Sequence, residues 1–386
     1  MKNAASIVFT GDIGFDRYMD KKWEDGNLLS DEILEFFHSA DHVVANVEGA
    51  LINAPDDGSK GIFFHSMDPE ATAFLKKIDT DIFCIANNHT MDAGKKGIES
   101  TLAIAAEMGC KTVGAGLDID HASEPVYLDE AGGIGIIAVG YPPDCIGAAE
   151  GKAGVFLWDE MERIEKRIKE VKAKCRWCIV ISHGGEEFTA LPSPYTRDRY
   201  LKYIEFGADI VVGHHPHVPE NYEIVEDGKK AVFYSLGNFI FDTDYQRAHA
   251  YTDIGILLKL VLNEKAFSFE AIGTGLTRGE QRLSLSPLPA IFTDVSAEEY
   301  EKLSPLAAKT FVLEESRRCI FMTPAVYKNA TKETWDAYFA SDIGGAYVKG
   351  AHMDFGILLP LAERAEDGAW KESKLDGVKE YLLSLL

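Results

Sequence analysis

Five apolar runs in this 386-residue chain end in residues that bind metal ions or move protons: Gly11-Asp12, Asn46-Val47-Glu48, Asn87-Asn88-His89, Ser182-His183-Gly184 and Gly213-His214-His215-Pro216-His217. Carboxylate, amide oxygen and imidazole in one set suit a divalent transition ion, whereas an all-oxygen set would suit Mg²⁺ or Ca²⁺ and a thiolate-rich set structural zinc. One or two ions of Mn, Fe or Zn are the expected cofactor. Two such ions about 3.5–4 Å apart can hold a phosphate oxygen and lower the pKa of a bridging water, which makes a nucleophile at neutral pH. Taken one at a time, Asp12, Asn46 and Asn88 also read as turn residues bonding their own backbone. The triplet His214, His215 and His217 is different, because three imidazoles directly after Asp209-Ile210-Val211-Val212 are costly at a strand end without a shared ligand. His38, His42, His121, His249 and His352 occur singly and read as surface or core residues. His65, in Phe63-Phe64-His65, is also a candidate for supporting a ligand or touching substrate.

Residues scattered over about 200 positions meet if each lies at the carboxyl end of a strand in an open α/β sheet, where neighbouring strand ends face one crevice. The first 275 or so residues alternate short apolar runs with longer stretches of helical period, the pattern of an α/β domain. Strands are expected at Ala5–Thr10, His42–Ala45, Ile82–Ala86, Thr112–Gly114, Gly135–Val139, Cys178–Ser182, Ile210–Val212 and Val232–Ser235. Helices are expected at Glu70–Ile78, Ala93–Met108, Asp159–Lys172 and Tyr195–Phe206; in the third, Met161, Ile164, Ile168 and Val171 recur at spacings of three and four. Beyond Tyr222 the pattern turns to hairpins, Tyr222–Glu226 with Lys230–Tyr234 and Ile254–Leu262 with Ala266–Gly273. A Ser284–Pro289 linker then leads to helical composition at Ala297–Leu303, Lys332–Phe339 and Val378–Leu385. The expected division is residues 1–280 as the main domain and 281–386 as a mostly helical extension packed on it. No internal repeat or low-complexity tract appears.

A net charge of −23 argues against a nucleic-acid partner, since binding phosphates takes clustered Lys and Arg. Such a surface also repels an anionic substrate unless a bound metal reverses the local field. The N-terminal apolar run is too short for a signal-peptide core and no apolar stretch is long enough to span a bilayer, so a cytoplasmic protein without a membrane span is expected. Six cysteines spread thinly over the chain read as thiols. Cys175-Arg176-Trp177-Cys178 has redox spacing, but it falls between a charged helix and an apolar strand and reads as structural.

Read together, the motifs resemble the CapA family, named for capsule and poly-gamma-glutamate synthesis, within the calcineurin-like metallophosphoesterase superfamily. The blocks carrying the likeness are Ala86-Asn87-Asn88-His89-Thr90-Met91-Asp92-Ala93-Gly94, Gly213-His214-His215-Pro216-His217-Val218 and Ser235-Leu236-Gly237-Asn238-Phe239-Ile240-Phe241-Asp242. Gly11-Asp12, Asn46-Val47-Glu48-Gly49 and Ser182-His183-Gly184-Gly185-Glu186-Glu187 match in order and spacing. The resemblance implies a four-layer α/β/β/α sandwich with a metal centre at one edge of the stacked sheets. It also implies that Asp12, Glu48 and His217 hold one ion and Glu48, Asn88, His183 and His215 the other, with Glu48 bridging. His89 matches the histidine that assists the leaving group, and Asp92 is placed to orient it.

The chain departs from the superfamily pattern at three places. Gly14 stands where the first motif carries a histidine, Glu48 where the bridging ligand is usually aspartate, and Gly184 where relatives usually have an aromatic residue. Asn46, Glu187, His214, Asn238 and Asp242 are further candidates for contact with substrate. Arg197 and Arg199, near Tyr195, would either pair with an anionic substrate or form a solvated first helical turn. Two functions are carried forward. One is a metal-dependent hydrolase acting on a phosphate ester or a glutamyl polymer amide; the other is a non-catalytic accessory protein of capsule synthesis that binds an anionic polymer. A thiol–disulfide role for Cys175 and Cys178 ranks behind both.

Overall fold

The structure is a computed structural model that describes residues 3–53, 64–142, 145–322 and 361–386. In its first part, strands β1 (Ala4–Ile13), β2 (His42–Val47), β3 (Ala50–Leu51), β4 (Ser66–Met67), β5 (Ile82–Cys84), β6 (Lys111–Val113) and β7 (Ala115–Gly116) surround helices α1 (Asp31–His38), α2 (Thr72–Lys77) and α3 (Gly94–Met108). Next come α4 (Ile119–Ala122), β8 (Val126–Leu128), β9 (Ile134–Gly140), β10 (Gly154–Val155), α5 (Met161–Lys174), β11 (Trp177–His183), α6 (Pro194–Phe206) and β12 (Ile210–His214). The sequence closes with β13 (Tyr222–Val225), β14 (Lys230–Phe233), β15 (Asn238–Ile240), α7 (Asp244–Arg247), β16 (Ile254–Asn263), β17 (Phe267–Thr277), β18 (Arg282–Ser286), α8 (Ala297–Met322) and a terminal helix at Asp376–Ser384.

Two sheets organise these elements. The first runs β18-β17-β16-β1-β2-β5-β6, with β15 also pairing to β1, and the second runs β13-β14-β12-β11-β9-β8. The pairs β1/β2, β2/β5, β9/β11, β11/β12 and β12/β14 are parallel. Parallel strands covered on both faces are apolar throughout, which explains why these segments read as continuous runs. Along β11 the pleat divides the side chains by period two. Ile179 and Ile181 join Phe9, Val212 and Phe233 in the core between the sheets, while Cys178 and Val180 face Ile164, Ile168, Tyr200 and Ile204 of α5 and α6. Ile33 and Phe37 of α1, Phe74 of α2 and Ile98 of α3 are buried in the core on the first sheet. The result is the expected four-layer α/β/β/α sandwich.

Local signals account for several boundaries. Helix α6 opens at Ser193, whose side chain accepts from Thr196 N–H, has proline at its first position and stops at Gly207 in the left-handed region. The expected linker over Ser284–Pro289 is corrected in part: Ser284–Ser286 belong to β18, where Leu283 is buried and Leu285 exposed in the alternation of an edge strand. Helix α1 was not foreseen. The helix expected at Ala297–Leu303 continues to Met322 as α8, and Tyr300, Leu303 and Leu306 pack with Val378 and Leu382 of the terminal helix against Ala190 and Leu191. The expected helix at Lys332–Phe339 and the single His352 lie outside the described residues. Among the described residues no helix is long and apolar enough to cross a membrane. Cys175 and Cys178 are unbonded thiols, and burial pushes both of their pKa values up, the reverse of what a redox pair needs.

Candidate metal centre

Strand register sets the candidate ligands level with one another. Asp12 lies opposite Asn46 across β1 and β2 and opposite Asn238 across β1 and β15, while His183 lies opposite His214 across β11 and β12. Ligand atoms of Asp12, Glu48 and His183 fall within 4.8 Å of one another, and all three residues are buried. His183 Nε2 is 2.9 Å from Asn88 Oδ1. Two ligands of one ion with bonds near 2.1 Å at right angles stand about 3 Å apart, so this pair can serve the same ion. His217 Nε2 is 4.0 Å from Glu48 Oε1 and 3.9 Å from Glu187 Oε1, and the His215 ring centroid is 5.1 Å from that of His183. The backbone carries strain here. His215 and His217 take φ of +97° and +60°, a region that costs a non-glycine residue roughly 1–3 kcal/mol and is held mainly at functional sites.

Asn46 Oδ1 and both Glu48 carboxylate oxygens are buried without a hydrogen-bond partner among the described residues. Buried acceptors are nearly always satisfied, and leaving one unmet costs about 1–3 kcal/mol. Acceptor oxygens of two carboxylates beside imidazoles are the donor set of a divalent transition ion, so the residues present fit such an ion.

Electrostatics agree with that fit. Burial, then the charge of Asp12, raises the Glu48 pKa well above the ordinary carboxylate value. Burial acts on Asp12 in the same direction, but hydrogen bonds from His214 and His217 outweigh it and hold its carboxyl well below that value. At His217 burial works against protonation, yet Glu48, Asp12 and Glu187 together raise its pKa to about 10. Burial lowers His215 to about 4 and His183 well below its usual range. Two buried carboxylates that retain a proton or draw one onto a neighbouring imidazole are groups that a divalent cation would suit.

His89 stands at the side of this group. Its Nδ1 is 2.8 Å from Asp92 Oδ2, and its Nε2 is 3.1 Å from Asn88 Nδ2 and 3.9 Å from Glu48 Oε1. Asp92 thus fixes the ring with the second nitrogen turned toward the cluster. Asn46 Nδ2 donates to Asp12 Oδ1 at 2.7 Å and lies 3.4 Å from His183 Nδ1, so it orients ligands from behind. His214 Nδ1 is 3.4 Å from Asp12 Oδ1. Glu187 borders the cluster, with one oxygen accepting from Tyr245 Oη.

Four residues expected to touch substrate are otherwise engaged. Asn238 Oδ1 accepts from His217 Nδ1 at 2.9 Å, and its amide nitrogen donates to Gln246 and to the Thr252 carbonyl, which makes it the residue that holds the His217 ring. Asp242 is buried against Arg247, Arg278 and Gln281. Arg197 forms a bidentate pair with Glu223 and lies over the Tyr300 ring. Arg199 donates to the Trp158 carbonyl and to Tyr195 Oη. In each case partners within the protein already take up the charge or amide.

Two features were not legible beforehand. Phe241 occupies the space beside Gly14: a Cβ on Gly14 would come within 2.7 Å of its ring, so no histidine fits there, and the same ring stands 5.1 Å from that of His217. Asp16 pairs with His65, its Oδ2 2.6 Å from Nδ1. No spacing rule links an aspartate in the first loop to a histidine 49 residues on.

Comparison with known proteins agrees with the motifs. The family model described as "Bacterial capsule synthesis protein PGA_cap" matches residues 6–243. The chain is 32% identical over 251 residues to the PGA biosynthesis protein CapA of Bacillus subtilis, covering 63% of this chain and 64% of that protein. It is 30% identical over 184 residues to the capsule biosynthesis protein CapA of Bacillus anthracis, covering 46% and 44% respectively. The chain therefore spans less than two thirds of the length of these curated relatives. A solved structure titled as a novel phosphatase from Mycoplasma pneumoniae aligns with a TM-score of 0.46 at 15% identity, over 71% of this chain and 94% of that one. Since the family model covers more than half of its length, the chain belongs to the bacterial capsule synthesis (PGA_cap, CapA) family.

Proposed function

We propose that the protein is a metal-dependent hydrolase acting on a phosphate ester, with a glutamyl polymer amide as the other candidate bond. The observation that carries this reading is the pair of buried, unpartnered Glu48 oxygens beside Asp12 and His183. Asp12, Glu48 and His217 would hold one ion, and Glu48, Asn88, His183 and His215 a second. A divalent ion there supplies Lewis-acid activation of water and of a phosphoryl oxygen. The side chains do the rest. Asp92 keeps the proton on His89 Nδ1 and burial lowers the His89 pKa, so Nε2 is a neutral nitrogen turned to the cluster that would take a proton from water and pass it to a departing oxygen. Asn46 and Asn238 hold Asp12 and His217 in place, which keeps the ligands from swinging when substrate binds.

A panel of phosphomonoesters, phosphodiesters and glutamyl peptides, offered to protein loaded with Mn²⁺, tests the reading. At least one should be hydrolysed, and His89→Ala should lose about 10²- to 10⁴-fold in kcat at unchanged metal content. Turnover of none, or an unaffected His89→Ala, sinks it. The names of relatives, two of them biosynthesis proteins and one a probable polyglutamine synthesis accessory protein, motivate a second reading, an accessory protein that binds an anionic polymer without cleaving it. A pull-down of poly-gamma-glutamate that survives chelation would support that alternative.

A further inference from the structure

A second histidine–carboxylate pair stands beside the first. His65 is only 6% exposed and its Nδ1 lies 2.6 Å from Asp16 Oδ2, just as His89 Nδ1 lies 2.8 Å from Asp92 Oδ2. The two rings meet edge to face with centroids 4.2 Å apart. They also share an anchor, because Asp92 Oδ2 accepts the backbone N–H of His65 at 2.8 Å. Whatever fixes His89 therefore fixes His65. Phe241 closes another side of the His65 ring at 5.1 Å.

Core packing alone does not call for this arrangement. A leucine or phenylalanine would fill the place of His65 without burying Asp16, whose Oδ1 is buried and unpartnered among the described residues. A carboxylate behind Nδ1 makes Nε2 the working nitrogen, and no hydrogen-bond partner for His65 Nε2 occurs among the described residues. The pair lies on the His89 side of the cluster, since the His65 ring meets that of His89.

We propose that His65, oriented by Asp16, is a substrate-binding residue whose Nε2–H, in the imidazolium form paired with Asp16, donates to a phosphate oxygen next to the one His89 serves. The proposal rests on the phosphoester reading above. His65 is then the contact that sets the phosphate group's rotation about the cluster, and Asp16 is its positioning residue.

The test uses the full chain loaded with Zn²⁺, which is diamagnetic, with inorganic phosphate as the probe. Binding is measured by calorimetry, metal content by elemental analysis, and the histidine nitrogens by long-range ¹H–¹⁵N spectra, in which His65→Gln assigns the His65 signals. Phosphate should bind only the metal-loaded wild type and should move the His65 Nε2 resonance. His65→Ala should keep its metal and weaken phosphate binding by about tenfold, the loss of one charge-assisted hydrogen bond. Asp16→Asn should keep its metal and change the His65 tautomer signature. If wild-type binding is intact but His65→Ala binds within about twofold of it, or the His65 Nε2 resonance stays still, this proposal is overturned and the hydrolase reading stands. If metal-loaded wild type binds no phosphate, this proposal and the phosphoester reading both fall. Should His65→Ala fail to fold, His65→Gln decides by the same affinity criterion.

Discussion

Replacing Glu48 by glutamine separates what this carboxylate does to the fold from what it does for a ligand. The side chain is fully buried, neither oxygen has a hydrogen-bond partner among the described residues, and its pKa is raised well above 4.5. A group that binds its proton more tightly when folded loses stability as pH rises, here from about 4.5 up through the raised value. Metal-free wild type should therefore fall progressively behind Glu48→Gln across that window. An unmet buried group costs about 1–3 kcal/mol, so at pH 8 the variant should gain about 2 kcal/mol. With an unfolding entropy of about 2.1 cal/mol/K per residue, 386 residues give about 0.8 kcal/mol/K, and Tm should rise by about 2–3 °C. Saturating Mn²⁺ at about a thousandfold above Kd would add about 4 kcal/mol, or about 5 °C, to wild type, and much less to a variant lacking an anionic ligand. Calorimetric scans in chelator and in Mn²⁺ should thus rank the two proteins in opposite orders. A variant that melts below wild type in chelator, or that gains as much from Mn²⁺, refutes the reasoning.

Other substitutions probe the surroundings. Gly14→Ala should cost about 1–3 kcal/mol in urea unfolding because its Cβ meets Phe241 at 2.7 Å, and adding Phe241→Leu should recover part of the loss; equal stability of the single variant and wild type would refute this. Arg197→Ala should cost about 3–5 kcal/mol by stranding buried Glu223 while leaving metal content unchanged, whereas loss of a substrate-contact arginine would cost little stability and weaken substrate binding instead. His42 is hydrogen-bonded to Asp81, which raises its pKa against the opposing effect of burial. Its contribution is present below the unfolded value near 6.5 and is lost as pH rises through the raised folded value. His42→Gln should therefore destabilise by about 0.5 kcal/mol at pH 6 and by nothing measurable at pH 9, the small size reflecting the solvent exposure of Asp81.

The strand ends were legible because parallel strands buried on both faces must be apolar, so a polar residue closing such a run stands out. Asp12, His183 and His214 stand out that way, and register sets Asp12 level with Asn46 in one sheet and His183 level with His214 in the other. Partners chosen across the fold were not legible. Arg197 and Asn238 have residue types that contact substrates, and only tertiary structure reveals that Glu223 and His217 take up their hydrogen bonds. Nothing in the local sequence marks Asp16, and only the fold brings His65 to it. Edge strand β18 was hidden by its serines and flanking prolines, because alternation over five residues is a weak pattern.

The candidate ligands divide evenly between the two stacked sheets. Asp12 lies near the end of β1 and Glu48 and Asn88 follow β2 and β5, while His183, His215 and His217 come from the ends of β11 and β12. A cation seated among them would act as a rivet through both plates at one rim. Amide exchange should slow together at the tips of β1, β2, β11 and β12, and the far margins at β6 and β18 should keep breathing at their own pace.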